Sequence, residues 1–263
     1  MKKILVFVLV LLMMMSSMTA FAAGKLRVTQ ENFILTNSYS MYGYAYARID
    51  NVGDRPIKVH AGILEIFDTN GDAITSSDYL RGYAEYLQPD DYTYAYIYTS
   101  IEDVEESAVD DYMLTITGKS DTTYISQRLP VTTEYEEDVD EGYYKSDYMY
   151  ATVTNDTDEP IYSVEVVLVL LDADGNILFM DSSDMYSDKA IMPGSSIKIR
   201  VDVDSSFIEW YEKEGLIPVS VDAIAFVNIE QDYLSLTILN LFILHILFYL
   251  PLNLRRGVKA PVY

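Results

Sequence analysis

Residues 51–71 read NVGDRPIKVHAGILEIFDTNG, and residues 155–175 read NDTDEPIYSVEVVLVLLDADG. Both stretches belong to a longer match without gaps, in which residues 44–101 align with residues 148–205. The positions that are identical in the two copies fall mainly in turns and in a core. The chain is therefore predicted to contain one domain twice.

Each copy carries the residue pattern of β-strands. Val164, Val166 and Leu168 alternate toward one face, and Val, Ile, Thr and Tyr are frequent throughout. We therefore predict an all-β fold of two tandem β-sandwiches, formed by residues 23–120 and residues 121–232.

Two connections differ from this pattern. The spacing of apolar residues in 205–218 predicts one or two helical turns. The acid-rich run 134–141 is typical of a solvated loop, or of an early hairpin in the second copy.

The sequences LEIFD at residues 64–68 and LVLLD at residues 168–172 resemble a known signature. With the Asn…Pro-Ile stretch before them and the glycine turn after them, they are similar to the FxLYD domain of bacterial extracytoplasmic proteins. Leucine replaces the Phe of that signature in both copies, Phe67 and Leu171 replace its Tyr, and the Asp is kept. The resemblance implies immunoglobulin-like β-sandwiches that are exported, and it implies no activity.

Each copy also contains an Asp-x-Asn/Asp-Gly loop, at residues 68–71 and 172–175. Calcium-binding loops begin in a similar way, but an EF-hand requires glycine at its sixth position and glutamate at its twelfth. Neither copy has them. A tight hairpin turn is the favoured interpretation, and cation binding by the turn stays open.

The N-terminal residues 1–22 have the three parts of a secretory signal peptide. Lys2 and Lys3 precede an apolar run, which ends in Ala20-Phe21-Ala22. The chain has no cysteine, so an exported protein of this sequence must be stabilised by its core rather than by disulfides.

The C-terminal residues 233–250 are mostly apolar and precede a basic tail, 251–263. We predict an apolar transmembrane helix that anchors the chain once, with both domains extracytoplasmic. Two alternatives remain: an extension packed on the second domain, or an abnormal end. The predicted location is therefore extracytoplasmic, secreted or anchored to the cell surface.

Charge restricts the class of partner. The chain has 41 Asp and Glu against 18 Lys and Arg, a formal net charge of −23. Nucleic acid is excluded as a partner, because binding it depends on basic groups that neutralise phosphate. No cofactor or metal is predicted.

Tyrosines recur with period two on two predicted strands of the first copy. Tyr94, Tyr96 and Tyr98 align with three ions of the second copy, Lys198, Arg200 and Asp202, which do not suit a core. We therefore expect the tyrosines to face solvent. The predicted binding residues are Tyr44, Tyr46, Tyr92, Tyr94, Tyr96 and Tyr98.

An exposed tyrosine platform suits recognition of a protein or a glycan, because each ring offers a large contact area and a hydroxyl group. The alternative is a ladder of rings that only stabilises its own sheet.

Catalysis is not expected. Cysteine is absent, and the sequence has two histidines, His60 and His245. His60 aligns with Val164, so we expect a packed, structural histidine. The leading hypothesis is a non-catalytic binding module. A structural spacer is the alternative, and a glycoside hydrolase with paired carboxylates is a distant third.

Overall fold

The computed structural model describes residues 24–37, 40–121, 123–142 and 145–230. The predicted signal peptide, the predicted transmembrane helix and the basic tail lie outside these residues. Among the described residues, no helix has both the length and the apolar character needed to cross a membrane.

The described chain is mostly β-structure, as predicted, with one short α-helix. Its elements are β1 (Leu26–Asn37), β2 (Met41–Asn51), β3 (Ile57–Asp68), β4 (Ala73–Ser77), β5 (Tyr86–Leu87), β6 (Tyr92–Ile101), a 3-10 turn (Glu106–Ala108), β7 (Val109–Lys119), β8 (Tyr124–Leu129), β9 (Val131–Asp140), β10 (Lys145–Thr154), β11 (Ile161–Leu171), β12 (Ile177–Ile191), β13 (Ser196–Asp202), α1 (Ser205–Glu214) and β14 (Ser220–Glu230).

The strands of the described residues form four sheets, and strands β1–β7 and β9–β14 pair antiparallel with their neighbours within these two groups. In repeat one (β1–β7), sheet A has the order β1-β2-β6, and sheet B has β4 and β5 on one side of β3 and β7 on the other. In repeat two (β8–β14 and α1), sheet D has the order β9-β10-β13 and sheet C the order β12-β11-β14-β8. The two repeats therefore share one arrangement, as their alignment predicts, with β8 added to sheet C.

Sheets A and B enclose the core of repeat one. Ala45 and Ile97 of sheet A pack against Leu64 and Ile66 of sheet B, and all four are completely buried. The small alanines on β2 bring the two sheets close, and the isoleucines fill the remaining space.

Sheet C is buried on both faces. Residues 166–170 of β11 are each at most 1% exposed, whereas a strand with one solvated face alternates between buried and exposed residues. The described residues up to Ile229 form one compact unit. Sheet D covers one face of sheet C, and sheet A of repeat one covers the other, so the sheets stack in the order B-A-C-D.

The aligned asparagines explain why the repeat keeps this residue. Asn155 is fully buried; its Nδ2 donates to the carbonyl oxygens of Glu159 and Ile191, both at 2.8 Å, and its Oδ1 accepts from the backbone N–H of Thr157 at 2.9 Å. Asn51 makes the equivalent bonds in repeat one. Each asparagine therefore joins the β2–β3 or β10–β11 turn to the end of the neighbouring edge strand.

Three further expectations have clear outcomes. The predicted helical turns are confirmed by α1, which begins after the N-cap Asp204 and ends at Gly215 in the left-handed conformation. The acidic run is strand β9, in a hairpin with β10. The expectation for His60 is wrong: a bulge between Val59 and Ala61 places its side chain in solvent.

Replacing Asn155 with alanine is expected to lower the free energy of unfolding by about 2–4 kcal/mol, because several buried backbone groups lose their partner. Urea titration followed by circular dichroism measures the change. The matched control is Asp156→Ala at the exposed neighbouring position, where the change should stay within about 0.5 kcal/mol. Equal effects of the two substitutions would contradict the role assigned to Asn155.

Candidate functional site

The predicted tyrosines share one face of sheet A, which we call the tyrosine face. In the pairing of β2 with β6, Tyr46 lies opposite Tyr96 and Tyr44 lies opposite Tyr98, while Ala45 lies opposite Ile97 on the other face. The tyrosines therefore point away from the core of repeat one. The rings stand 5.3 Å apart in the Tyr44–Tyr98 pair, as a cross-strand ladder should.

The prediction that the tyrosine face meets solvent is wrong. Tyr46 is 1% exposed, Tyr94 is 2% exposed and Tyr96 is 8% exposed, and Tyr44, Tyr92 and Tyr98 are partly buried against the same core cluster. The covering surface is sheet C and helix α1 of repeat two. Alignment of the repeats establishes on which face a side chain lies, but it carries no information about what packs against that face.

Two tyrosine hydroxyls donate to carboxylates of repeat two. Tyr94 Oη donates to Asp222 Oδ2 at 2.6 Å, and Tyr96 Oη donates to Asp181 Oδ1 at 3.2 Å. Hydrogen bonds to a charged acceptor are stronger than neutral ones, and here both form at partly buried positions. These carboxylates therefore fix the position of repeat two on the tyrosine face.

Strand β1 of sheet A also contacts repeat two. Asn32 Nδ2 donates to the carbonyl oxygen of Ile177 at 2.7 Å, and Gln30 Nε2 donates to that of Gly175. Ile34, which lies opposite Tyr44, is 1% exposed and belongs to the same apolar cluster. The contact thus combines polar and apolar groups.

Helix α1 closes one end of the tyrosine face. Phe207 is 1% exposed and lies edge-on to Tyr44, with ring centroids 4.8 Å apart, and 4.9 Å from Phe179 of sheet C. Aromatic pairs in this geometry contribute about 0.5–1.5 kcal/mol each beyond their buried area. Helix α1, which has no α-helical counterpart in the described residues of repeat one, therefore belongs to the contact between the tyrosine face and repeat two. We call this contact the joint.

Burial changes the acidity of the ladder. It raises the pKa of Tyr44 to about 12, and the nearby Asp204 carboxylate adds to the shift. Burial, together with the hydrogen bond to Asp222, also raises the pKa of Tyr94 above its ordinary value, and burial with the charge of Asp181 does the same for the pKa of Tyr96. The neutral phenol is thus the form that the joint requires.

The equivalent face of repeat two, on sheet D, remains open to water. The side chains of Lys198 and Arg200 are 45% and 50% exposed, and lie over the rings of Tyr150 and Tyr148. Lys198 also pairs with Glu134 at 2.6 Å. Ions at these positions keep the face hydrated, whereas tyrosines at the same positions of repeat one form a contact.

Sequence reasoning missed the residues that receive the tyrosines. Asp222 interrupts the apolar strand β14, which was a usable signal, because an acid on a buried strand requires a partner. The spacing around Phe207 predicts a helix, but it does not predict a contact with the tyrosines. Nothing in the sequence indicated Asp181, which lies among other acidic and polar residues of β12.

The predicted hairpin turns are confirmed. Gly71 and Gly175 have φ of 82° and 85°. In the first turn Asp68 Oδ1 accepts from the backbone N–H groups of Asn70 at 2.8 Å and Asp72 at 2.9 Å. In the part of the chain that the structure describes, no group of three or more acidic or histidine side chains could hold a metal ion.

A cleft of about 450 Å³ lies beside the tyrosine face, between the repeats. The segment before β5 contributes Tyr79, Arg81 and Tyr83, and β11 and β12 contribute Glu165 and Asp184. The cleft therefore gathers charged and aromatic side chains from both repeats.

Comparison with known proteins does not identify the chain. No known family and no curated protein matches the sequence. The crystal structure of red sea bream transglutaminase is 11% identical over 77% of this chain and 29% of that chain, with a TM-score of 0.20. The C-terminal globular domain of an oligosaccharyltransferase from Pyrococcus abyssi is 11% identical over 79% of this chain and 48% of that chain, with a TM-score of 0.18. Similarity this low carries no argument about function.

Replacing Tyr94 with phenylalanine is expected to lower the free energy of unfolding by about 1.5–3 kcal/mol at neutral pH, because Asp222 loses a buried donor. The difference from wild type should persist below pH about 10, the pKa of an unfolded tyrosine, and should shrink as pH rises through the raised folded pKa.

Urea titrations of both proteins at neutral and strongly alkaline pH measure this difference. Tyr162→Phe is the control, since Tyr162 is 57% exposed and should change the free energy of unfolding by less than about 0.5 kcal/mol. A constant difference between wild type and Tyr94→Phe across the alkaline range would contradict the assigned hydrogen bond.

Proposed function

We propose that this chain is a non-catalytic extracytoplasmic module of two immunoglobulin-like β-sandwiches, and that it acts as a structural spacer. The observation that carries the proposal is the burial of the tyrosine face between the repeats. A flexible pair of domains would change the distance between its ends, whereas a pair joined through a buried aromatic face holds one distance.

The same observation supports the spacer over the tyrosine platform. A tyrosine platform for an external protein or glycan requires accessible rings, but Tyr46, Tyr94 and Tyr96 are already covered by repeat two. An external partner at this face would have to displace the second repeat and break the Tyr94–Asp222 hydrogen bond. The geometry therefore favours the spacer, in which the partner of the tyrosine face is repeat two itself.

Export, anchoring and the absence of catalysis complete the proposal. Residues 1–22 support export and residues 233–250 support a membrane anchor, both by sequence pattern. The resemblance of residues 64–68 and 168–172 to the FxLYD signature supports the same location. Cysteine is absent, His60 is exposed, and the described residues contain no cluster of three or more acidic or histidine side chains that could hold a metal ion, so these features give no support to nucleophilic or metal-assisted hydrolysis.

Spin-label distance measurements test the rigid joint. Because the chain has no cysteine, Thr115→Cys on the outer face of sheet B and Thr132→Cys on the outer face of sheet D give two unique labels. Several sheet spacings of about 10 Å separate the labels, which suits the method. We expect one narrow distance distribution.

A second labelled protein that also carries Tyr46→Ser and Tyr94→Ser should give a broader distribution, because the joint loses buried contacts. The matched control is Tyr162→Ser at an exposed position, which should leave the distribution narrow. A broad distribution in the otherwise unmodified protein would refute the spacer proposal.

A further inference from the structure

The cleft between the repeats has the size of a ligand site. Its volume of about 450 Å³ lies within the range of small-molecule pockets, about 300–1,000 Å³. Residues 79–85 form one wall, and strands β11 and β12 of repeat two form the other. A rigid joint between the repeats keeps these walls at a constant separation.

Arg81 is held in the cleft without a carboxylate partner. Its backbone N–H and carbonyl pair with the carbonyl and N–H of Tyr96, at 2.9 and 3.1 Å. Its guanidinium lies 4.3 Å from the ring of Tyr79 and 4.9 Å from that of Tyr98. Within the described residues, its Nε is buried with no hydrogen-bond partner, and no acidic group lies within 4 Å. In a chain with 41 acidic residues, such a cation is available for an external anion.

Glu165 is an acidic residue on the wall of the cleft opposite Arg81. It is half-buried, and its carboxyl group has no hydrogen bond or ion pair to any side chain that the structure describes. Burial raises the pKa of this carboxyl group, and the charges of Asp184 and Glu85 add to the shift. Glu85 itself pairs with Lys58 at 3.0 Å. Among the described residues, no cationic group pairs with Glu165 or Asp184, and the repulsion between these two carboxylates favours binding of a cation.

The remaining lining is aromatic. Tyr79 is 63% exposed at the rim, and Tyr83 and Tyr96 lie deeper in the cleft. Tyrosine faces attract ammonium groups and also pack against the apolar part of a ligand. The walls therefore suit a ligand with a positive end and some apolar surface.

We propose that this cleft binds a small zwitterion, an amino acid or a short peptide, whose carboxylate pairs with Arg81 and whose ammonium group pairs with Glu165 and Asp184. A simple cation would be repelled by Arg81, and a simple anion would be repelled by the acids on the opposite wall. A ligand that carries both charges can pair with Arg81 on one wall and with the acids on the opposite wall. This inference goes beyond the spacer role, and it rests on the same rigid joint between the repeats.

Alanine, di-alanine and tri-alanine are suitable probes, since the series varies the separation between ammonium and carboxylate. Ligand-observed NMR on the protein should detect binding of at least one probe with a Kd below about 10 mM. The N-acetylated and the C-terminally amidated forms of that probe should each bind about tenfold more weakly or worse. Absence of binding by all three probes, or equal binding by the capped forms, would overturn the proposal.

Substitutions then test which residues of the cleft bind the carboxylate and the ammonium group of the ligand. Arg81→Ala should remove the preference for a free carboxylate, and Glu165→Gln should reduce the preference for a free amine. Arg81→Lys, which keeps the charge, should retain the carboxylate preference and guards against a folding defect in the alanine variant. The controls are Arg27→Ala and Glu159→Gln at exposed positions away from the cleft.

An unchanged pattern of preferences in Arg81→Ala and Glu165→Gln would refute the assignment of the two ends. Failure of these binding experiments would leave the spin-label distances as predicted, so the inferred site and the spacer role are tested separately.

Discussion

The buried contact between the tyrosine face and sheet C determines the organisation of the described protein. Tyr94 and Tyr96 occupy positions that carry the exposed ions Lys198 and Arg200 in repeat two, and this difference converts a free sheet surface into a joint. Hydrogen bonds from Tyr94 and Tyr96 to carboxylates of repeat two fix the orientation of the two repeats, while the tyrosine rings contribute buried area. The stack of four sheets, the two-sided burial of β11 and the cleft beside the joint all depend on this contact.

The sequence differences between the two repeats explain why the stack of sheets ends at sheet D. The face of sheet D that corresponds to the tyrosine face carries Lys198 paired with Glu134 and Arg200 paired with Glu141. Removing these ions from water without new partners would cost far more than an aromatic contact gains. One repeat therefore presents a surface for association, and the other presents the same surface in a hydrated form.

Local features of the fold could be predicted from the sequence, because they depend on neighbours along the chain. The turn glycines, the aligned asparagines, the strand parity of Tyr44 and Tyr46 and the helix near Phe207 all left a pattern within a few residues. The burial of the tyrosine face left none, since it depends on contacts between residues about 85 to 128 positions apart. His60 was misplaced for a related reason: a bulge shifts parity without a local sequence signal.

The most direct test of this account is the chemical accessibility of the tyrosines in the native protein. Nitration with limiting reagent, followed by peptide mass spectrometry, reports which rings contact water. The account predicts rapid modification of Tyr79 and Tyr162, which are 63% and 57% exposed, and protection of Tyr46, Tyr94 and Tyr96 until the protein unfolds. Modification of Tyr94 and Tyr96 as fast as Tyr162 under native conditions would contradict it.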